Sequence, residues 1–290
     1  MIEELSKICN VLEKENIKNT FKLDSKCYAM IKPNNVDELI EVISIINKYN
    51  YKYIVLGNAS NVILPPYYSG IVIKLDNFNN YEIKDNVLYV ESGVMINKLA
   101  NDLINMGYKG LDFAVGIPGT IGGCVYSNAG CYGSSIDKVL ISAKVFNGKK
   151  VIELSNQDLE FDYRDSLLKR RKNYIVLSCK FQLTTDDVYK LKSEAKERSV
   201  KRMISQDLTH PSNGSVFRNP KDASAGKLID EANLKGCSVN DAMVSLIHAN
   251  FIINNGNATQ KDIVSLIKIV KDKIKEENGI DLILEQEIIE

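Results

Sequence analysis

The pattern of apolar residues and chain breakers predicts an α+β protein in two parts, the second smaller than the first. Three observations carry that prediction. The chain has 290 residues, a length that suggests about two domains and allows a sizeable core. Residues 53–182 set short apolar strands around interposed helices instead of repeating one strand–helix unit. Beyond residue 186 helical periodicity dominates, interrupted by HPSNGSVFRNP and closed by a short apolar run.

In order along the chain, Ile2, Leu5, Ile8 and Leu12 follow helical spacing, so residues 1–21 read as an N-terminal surface helix. Residues 36–49 form an amphipathic helix with an acidic first turn and Asn50 near its end. Strands are expected at 53–56, running into GNASN, and at 70–75 and 87–90. A helix over 95–106 is closed by Gly107. Further strands fall at 144–146, 151–153 and 175–182, which completes a domain over 22–186. A charged helix over 186–203 leads into the second domain, 187–281, with helices beginning near Ala225 and over 260–277. Residues 282–290 read as a terminal strand.

Composition excludes several classes of function. Lys plus Arg and Asp plus Glu number 37 each, so no general field draws nucleic acid to the chain. The basic run Lys169-Arg170-Arg171-Lys172 is local and reads as a solvated turn. The N-terminus carries charges throughout and lacks the apolar stretch of a signal peptide. No segment reaches the length of a membrane span. A soluble, intracellular protein is therefore expected, without membrane or nucleic-acid partners. The six cysteines form no CxxC pair and no zinc spacing, so reduced thiols and no metal site are expected.

The most informative segment is GIPGTIGGCVYSNAGCYG, residues 116–133, in which six of eighteen residues are glycine. Glycine reaches backbone conformations closed to other residues and allows close approach to the main chain. Several such residues can turn successive N–H groups toward one anion. The segment therefore points to a cofactor with a diphosphate and an extended body. A plain glycine-rich surface loop is the alternative, and it fits poorly with the apolar Ile117, Ile121 and Val125. A P-loop would need Lys-Ser or Lys-Thr where Cys124 follows Gly123. The spacing of Gly116, Gly119 and Gly122 also differs from the GxGxxG of a Rossmann fold.

Taken together, the motifs resemble one family. LGNASN (56–61), GIPGTIGG with SNAGCYG, Tyr163-Arg164-Asp165-Ser166, GSVFRNP (214–220), AGKLI (225–229) and HANFIIN (248–254) occur in this order. The chain so resembles the UDP-N-acetylenolpyruvoylglucosamine reductases, flavoenzymes of peptidoglycan precursor synthesis, over nearly its whole length. The short span between Arg164 and Ser215 is similar to the type lacking an extra substrate loop. The resemblance implies an FAD-binding domain of the PCMH, or vanillyl-alcohol-oxidase-like, type and a C-terminal α+β substrate domain. It implies FAD and NADPH as cofactors, a UDP-sugar substrate, and a cytoplasmic monomer. By the same resemblance FAD would be held by Gly57, Asn58, Ala59, Ser60 and Asn61 and by Gly116, Ile117, Pro118, Gly119, Thr120, Gly122, Gly123, Asn128 and Gly130.

Three catalytic positions follow from the resemblance, and their chemistry is coherent. Reduction of an enolpyruvyl group leaves negative charge beside its carboxylate. Arg164 would hold that carboxylate with a planar, permanently charged fork. Ser215 would deliver a proton to carbon, where position counts for more than acidity. Glu285, which spacing from Gly279 and Leu282 favours over the neighbouring Glu287 and Glu290, would supply a proton or hydrogen bond if its site keeps it protonated. Read without the resemblance, Arg164 could instead pair with Asp162 or Asp165, and Ser215 could cap a turn. No GxSxG elbow surrounds Ser215, which removes a nucleophilic role. His248 lies in a mostly apolar block and reads as a satisfied core histidine.

The chain departs from the family pattern at three places. Asp24-Ser25 stands for a Gly-Gly pair, Ser205-Gln206-Asp207 for Lys-Gln-Pro, and Val239-Asn240-Asp241-Ala242 for a more glycine-rich stretch. The second removes a cation that could meet the UDP diphosphate, and Asp207 is expected to make the site less welcoming to an anion. A divergent flavoprotein with another substrate, or a flavin-binding pseudoenzyme, are the alternative readings.

Overall fold

The computed structural model describes residues 1–171 and 173–290; Lys172, the end of the basic run, lies outside the described residues. The chain divides into two compact units, both discontinuous in sequence. The first comprises Met1–Glu13, Ala29–Gly57 and Gly70–Val200, and the second Lys14–Tyr28, Asn58–Ser69 and Lys201–Glu290. The simple boundaries expected at 21, 186 and 281 do not describe this division. Segments 14–28 and 58–69 leave the first half of the chain to complete the second unit's core.

In the first unit a four-stranded sheet runs in the order Asn10–Glu13, Lys26–Lys32, Tyr67–Lys74, Tyr53–Leu56. The helix Val36–Lys48 buries Leu39, Val42, Ile43 and Ile46, and Asn35 caps it by accepting from the Glu38 N–H. A five-stranded antiparallel sheet has the order Val151–Ser155, Leu140–Phe146, Ile175–Gln182, Val87–Glu91, Tyr81–Lys84. Its inward residues Leu88, Val90, Ala143, Val145 and Phe181 share one core with Leu99 and Leu103 of the helix Ile96–Asn105. That core also takes Ile121, Cys124 and Val125 from a helix inside the glycine-rich segment. Packing therefore fixes the segment from below.

The N-terminal helix read across 1–21 is confined to Ile2–Leu5. The chain then forms the strand Asn10–Glu13, paired antiparallel with Ala29 to Lys32. Four residues of ladder satisfy the backbone there, and the helical spacing of the apolar residues gives way to it.

The second unit is built on a sheet ordered Ser212–Ser215, Phe251–Asn254, Ala242–Val244, Ser238–Val239. The long helix Gln260–Asn278 starts with a capping box between Thr259 and Asp262 and stops at Gly279, whose φ is +69°. Its Ile263, Leu266, Ile267, Val270 and Ile274 pack with Phe21, Phe217 and Ile252. The terminal strand expected over 282–290 is shorter. Leu284 forms a single bridge to Phe217, and only Glu287–Ile288 is a strand, parallel to Val62–Ile63. Among the described residues no helix is long and apolar enough to cross a membrane.

Candidate active site

The glycine-rich segment is ordered by its own chain. Thr120 caps the short helix Ile121–Tyr126, its hydroxyl accepting from the Gly123 N–H at 3.4 Å. The Gly122 N–H donates to the Ser92 carbonyl at 2.9 Å and the Ile121 N–H to that of Val94 at 2.9 Å. Most of the glycines are there because the protein itself fills the space a side chain would need. A Cβ on Gly57 would lie 2.5 Å from Thr120 Oγ1, and one on Gly130 2.4 Å from the Ser134 carbonyl oxygen. Gly119 and Gly122 meet Cys124 Sγ and Ser92 in the same way. Gly123 differs, for it is exposed and an added Cβ would meet only Thr120 Oγ1 at 3.6 Å. The surface at Gly123 is thus sterically open, although its N–H is taken by Thr120 and its carbonyl by Ser127.

The first cofactor loop divides between the units. Gly57 belongs to the first, where its carbonyl accepts a hydrogen bond from Lys74 Nζ. Burial pushes the Lys74 ammonium pKa down, against the attraction of Asp76. Asn58, Ala59, Ser60 and Asn61 belong to the second unit. Ala59 is buried with φ +49°, a left-handed turn without glycine. Nothing in the motif pointed to Lys74, a lone cation at the end of a strand.

Arg164 sits at φ +56° in a tight turn between Asp162 and Asp165. Its Nη2 donates to the Gly130 carbonyl at 2.6 Å and its Nη1 to that of Asn128 at 3.4 Å. Asp165 and Glu160 are ion-paired with Arg170. Asn128, buried and also left-handed at φ +45°, braces the arrangement. Its side chain donates to the Asp162 carbonyl at 3.0 Å and accepts from the Asp137 N–H at 3.1 Å. The fully buried Ser166 donates to the Tyr126 carbonyl at 2.6 Å. Both Arg164 and Ser166 of the Tyr-Arg-Asp-Ser block therefore grip carbonyls of the glycine-rich segment.

In the second unit Ser215 and Glu285 come together from opposite ends of the unit's sequence. The Glu285 N–H donates to the Val216 carbonyl at 2.8 Å, and the Arg218 N–H to the Ile283 carbonyl at 2.9 Å. Gly214, at φ +74°, turns the chain immediately before Ser215. Gln286, 2 % exposed, donates through Nε2 to the carbonyls of Ser215 (3.2 Å) and Gly214 (3.4 Å). The Asn250 side chain holds Phe217 on both its N–H and its carbonyl, at 3.0 and 2.8 Å. Asn61 Nδ2 donates to the Glu285 carbonyl at 3.2 Å. Gln286 and Asn250 carry no motif signal, because an amide clamping a backbone leaves no spacing to read.

Asp207, which the sequence reading expects to disfavour an anion, has a structural role as well. Its carboxylate is buried and accepts from Ser245 Oγ at 2.9 Å, His210 Nδ1 at 2.9 Å and Thr209 Oγ1 at 3.0 Å. Burial pushes its pKa up, yet the bonds from His210, Ser245 and Thr209 outweigh burial and bring it down to about 2. The ionised carboxylate clasps residues 206–211 to the Ser245 turn. Ser205, by contrast, is the exposed last residue of the helix Val188–Ser205. The Val239–Ala242 departure is a hairpin turn in which Asn240 takes φ +48°, a conformation asparagine tolerates in place of glycine. Ser25 is buried and its hydroxyl has no partner among the described residues; no feature of the structure explains the exchange of both glycines there.

His248 accepts from the Asn250 N–H at 3.2 Å and packs 4.3 Å from Phe251, and burial lowers its pKa. It is a satisfied structural histidine. Among the described residues no cluster of His, Cys, Asp or Glu could hold a metal, and all six cysteines are unpaired by disulfides.

Known proteins match both units. A model for an FAD-binding domain covers residues 28–153, and one for the C-terminal domain of UDP-N-acetylenolpyruvoylglucosamine reductase covers 206–289. UDP-N-acetylenolpyruvoylglucosamine reductase from Bacillus pumilus is 36 % identical over 289 residues, covering 98 % of this chain and 95 % of the relative. That from Bacillus subtilis is 35 % identical over 296 residues, covering 100 % and 98 %. The crystal structure of the Thermus caldophilus enzyme aligns with a TM-score of 0.83 at 29 % identity, covering 97 % of this chain and 99 % of that one. The BBE-like 1 protein of Physcomitrella patens aligns over 64 % of this chain and 44 % of its own, with a TM-score of 0.51 at 14 % identity, a likeness of fold alone.

Proposed function

The chain belongs to the UDP-N-acetylenolpyruvoylglucosamine reductase family, and we propose that it reduces the enolpyruvyl ether of UDP-N-acetylenolpyruvoylglucosamine with electrons from NADPH, in peptidoglycan precursor synthesis. The observation that carries this reading is the coupling of Ser215 to Glu285 through the Val216–Glu285 hydrogen bond, with Gln286 fixing the Ser215 carbonyl. Two groups suited to delivering protons are thereby held on adjacent backbone by residues buried beneath them. FAD, when bound, supplies the hydride chemistry. The sterically open surface at Gly123 and the loop Gly57 to Asn61 would hold it.

Hydride addition at the terminal carbon of the enolpyruvyl group leaves negative charge on the neighbouring carbon and its carboxylate. Arg164 meets that carboxylate. Its terminal nitrogens are already oriented by the Asn128 and Gly130 carbonyls, so little reorganisation accompanies the charge. Ser215 gives its hydroxyl proton to the carbon, and its oxygen regains a proton from solvent or from Glu285. The activity is that of a cytoplasmic monomer acting on a small UDP-sugar.

An anaerobic two-step experiment tests the proposal. NADPH should bleach the flavin absorbance, and the enolpyruvyl sugar nucleotide should restore it. Reduced flavin that stays bleached at saturating substrate would replace the reductase reading with a flavoprotein of another substrate.

A further inference from the structure

We propose that Arg218 is a seat for an oxyanion of the sugar nucleotide, an inference that rests on the reductase reading above. Every hydrogen of a guanidinium needs an acceptor, and the group cannot shed its charge. Arg218 Nε is buried and has no hydrogen-bond partner among the described residues. Several cations of the second unit, all at least partly exposed, have acidic partners: Lys235 with Asp230 at 2.8 Å, Lys273 with Glu277 at 2.8 Å, Lys275 with Asp281 at 2.7 Å. Among the described residues no acid pairs with Arg218. A buried, charged donor without an acceptor is costly, and an anionic ligand is the partner that removes the cost.

The position of Arg218 says which ligand. Its main chain bonds to Ile283, in the same paired segment that joins Val216 to Glu285. Ser215 is three residues away, roughly 10 Å along extended backbone. A sugar nucleotide with its reacting ether at Ser215 carries two oxyanions within about that reach: its own carboxylate and, across one sugar ring, the diphosphate. A planar fork suits either, with two parallel hydrogen bonds.

The test uses the FAD-loaded protein with Arg218→Gln and Arg218→Lys. UDP binding is measured by calorimetry, and both flavin half-reactions by stopped flow. With the diphosphate as the ligand, Arg218→Gln should weaken UDP roughly 10- to 100-fold, the range of losing charge-assisted hydrogen bonds. The KM for the enolpyruvyl nucleotide should rise in parallel with kcat nearly unchanged, and flavin reduction by NADPH should keep its wild-type rate. If UDP binds as before while both substrate affinity and kcat fall, the carboxylate is the oxyanion held, and the seat stands. Unchanged UDP and substrate parameters overturn the seat, as does an equal slowing of the NADPH half-reaction. Should Arg218→Gln not fold, Arg218→Lys decides: it keeps the charge but loses the fork, so wild-type affinity in it also counts against the proposal. A wild type that binds UDP without being reoxidised by the enolpyruvyl nucleotide fails the reductase reading, while the UDP arm still judges Arg218.

Discussion

The two halves of the proposed machinery are held by different means. In the first unit the glycine-rich segment is a run of neighbours: Thr120, Asn128 and Gly130 lie within eleven positions, Arg164 reaches back to the Asn128 and Gly130 carbonyls, and Ser166 to that of Tyr126. In the second unit Ser215 and Glu285 are joined across most of the unit's sequence by one backbone bond and the amides of Gln286 and Asn250. The first arrangement depends on absent side chains, because any Cβ at Gly57 or Gly130 would strike the chain. The second depends on present ones. A region organised by close backbone approach should fail by losing its shape, and a region organised by clamps should fail by losing chemistry while the fold survives.

The largest effect should come from Ser215→Ala. Flavin reduction by NADPH needs no proton delivered to carbon and should be nearly unchanged. Reoxidation by the enolpyruvyl nucleotide should slow by roughly 10²- to 10⁴-fold, the range for loss of a positioned acid–base group. Equal slowing of both half-reactions would erase the contrast and make Ser215 structural.

Gly57→Ala should break the first unit instead. The new methyl would sit against Thr120 Oγ1, and overpacking of this kind costs about 1–3 kcal/mol. Thermal unfolding should show the loss together with weakened retention of FAD. Thr120→Ala alone removes a helix cap worth about 1 kcal/mol, yet added to Gly57→Ala it should restore stability by making room. Additive losses in the double variant would mean that the two side chains do not collide.

The Asp207 clasp should appear as acid sensitivity. Its carboxyl is held at about 2 against an ordinary value of 3.8, so the stabilisation is complete above the unfolded value and is lost as pH falls toward 2. From about pH 5 down to pH 2 the wild type should lose on the order of 2 kcal/mol that Asp207→Asn does not lose. Parallel denaturation curves for the two proteins across that range would refute the assignment. The smallest effect is expected at the start of the long C-terminal helix. Thr259→Ala removes one half of a capping box and should cost about 1 kcal/mol in urea unfolding, with both half-reactions untouched.

Much of the fold was legible because its longer elements are strongly periodic. The helices expected at 36–49, 95–106 and 260–277 stand at Val36–Lys48, Ile96–Asn105 and Gln260–Asn278. What escaped was structure made by distant partners. The helix Ile121–Tyr126 contains two glycines, and contacts with Ser92 and Val94 hold it where propensity would not. The strand Asn10–Glu13 is short and half-exposed, and only its ladder to Ala29–Lys32 defines it. At the candidate site, the positions that could be named from sequence are mostly those that lie in recognisable blocks. Gln286, Asn250, Lys74 and the Asp207 clasp act on main chain or on one another from isolated positions, and a charge read from sequence, as at Asp207, says nothing of who already holds it.

The interleaved second unit has a consequence for how the protein is made. Phe21 and Leu23 belong to its core, and Val62–Ile63 is the partner strand of Glu287–Ile288. These pieces emerge from the ribosome long before residues 201–290. At roughly 5–20 residues per second, translation leaves the 58–69 segment without its partners for on the order of ten seconds. In that interval its apolar Ile63 and Leu64, both fully buried in the finished protein, have no completed core to enter. A nascent chain halted before residue 290 exposes that segment to chaperones and proteases, and separate expression of residues 201–290 as an autonomous fragment would leave its parallel strand unpaired.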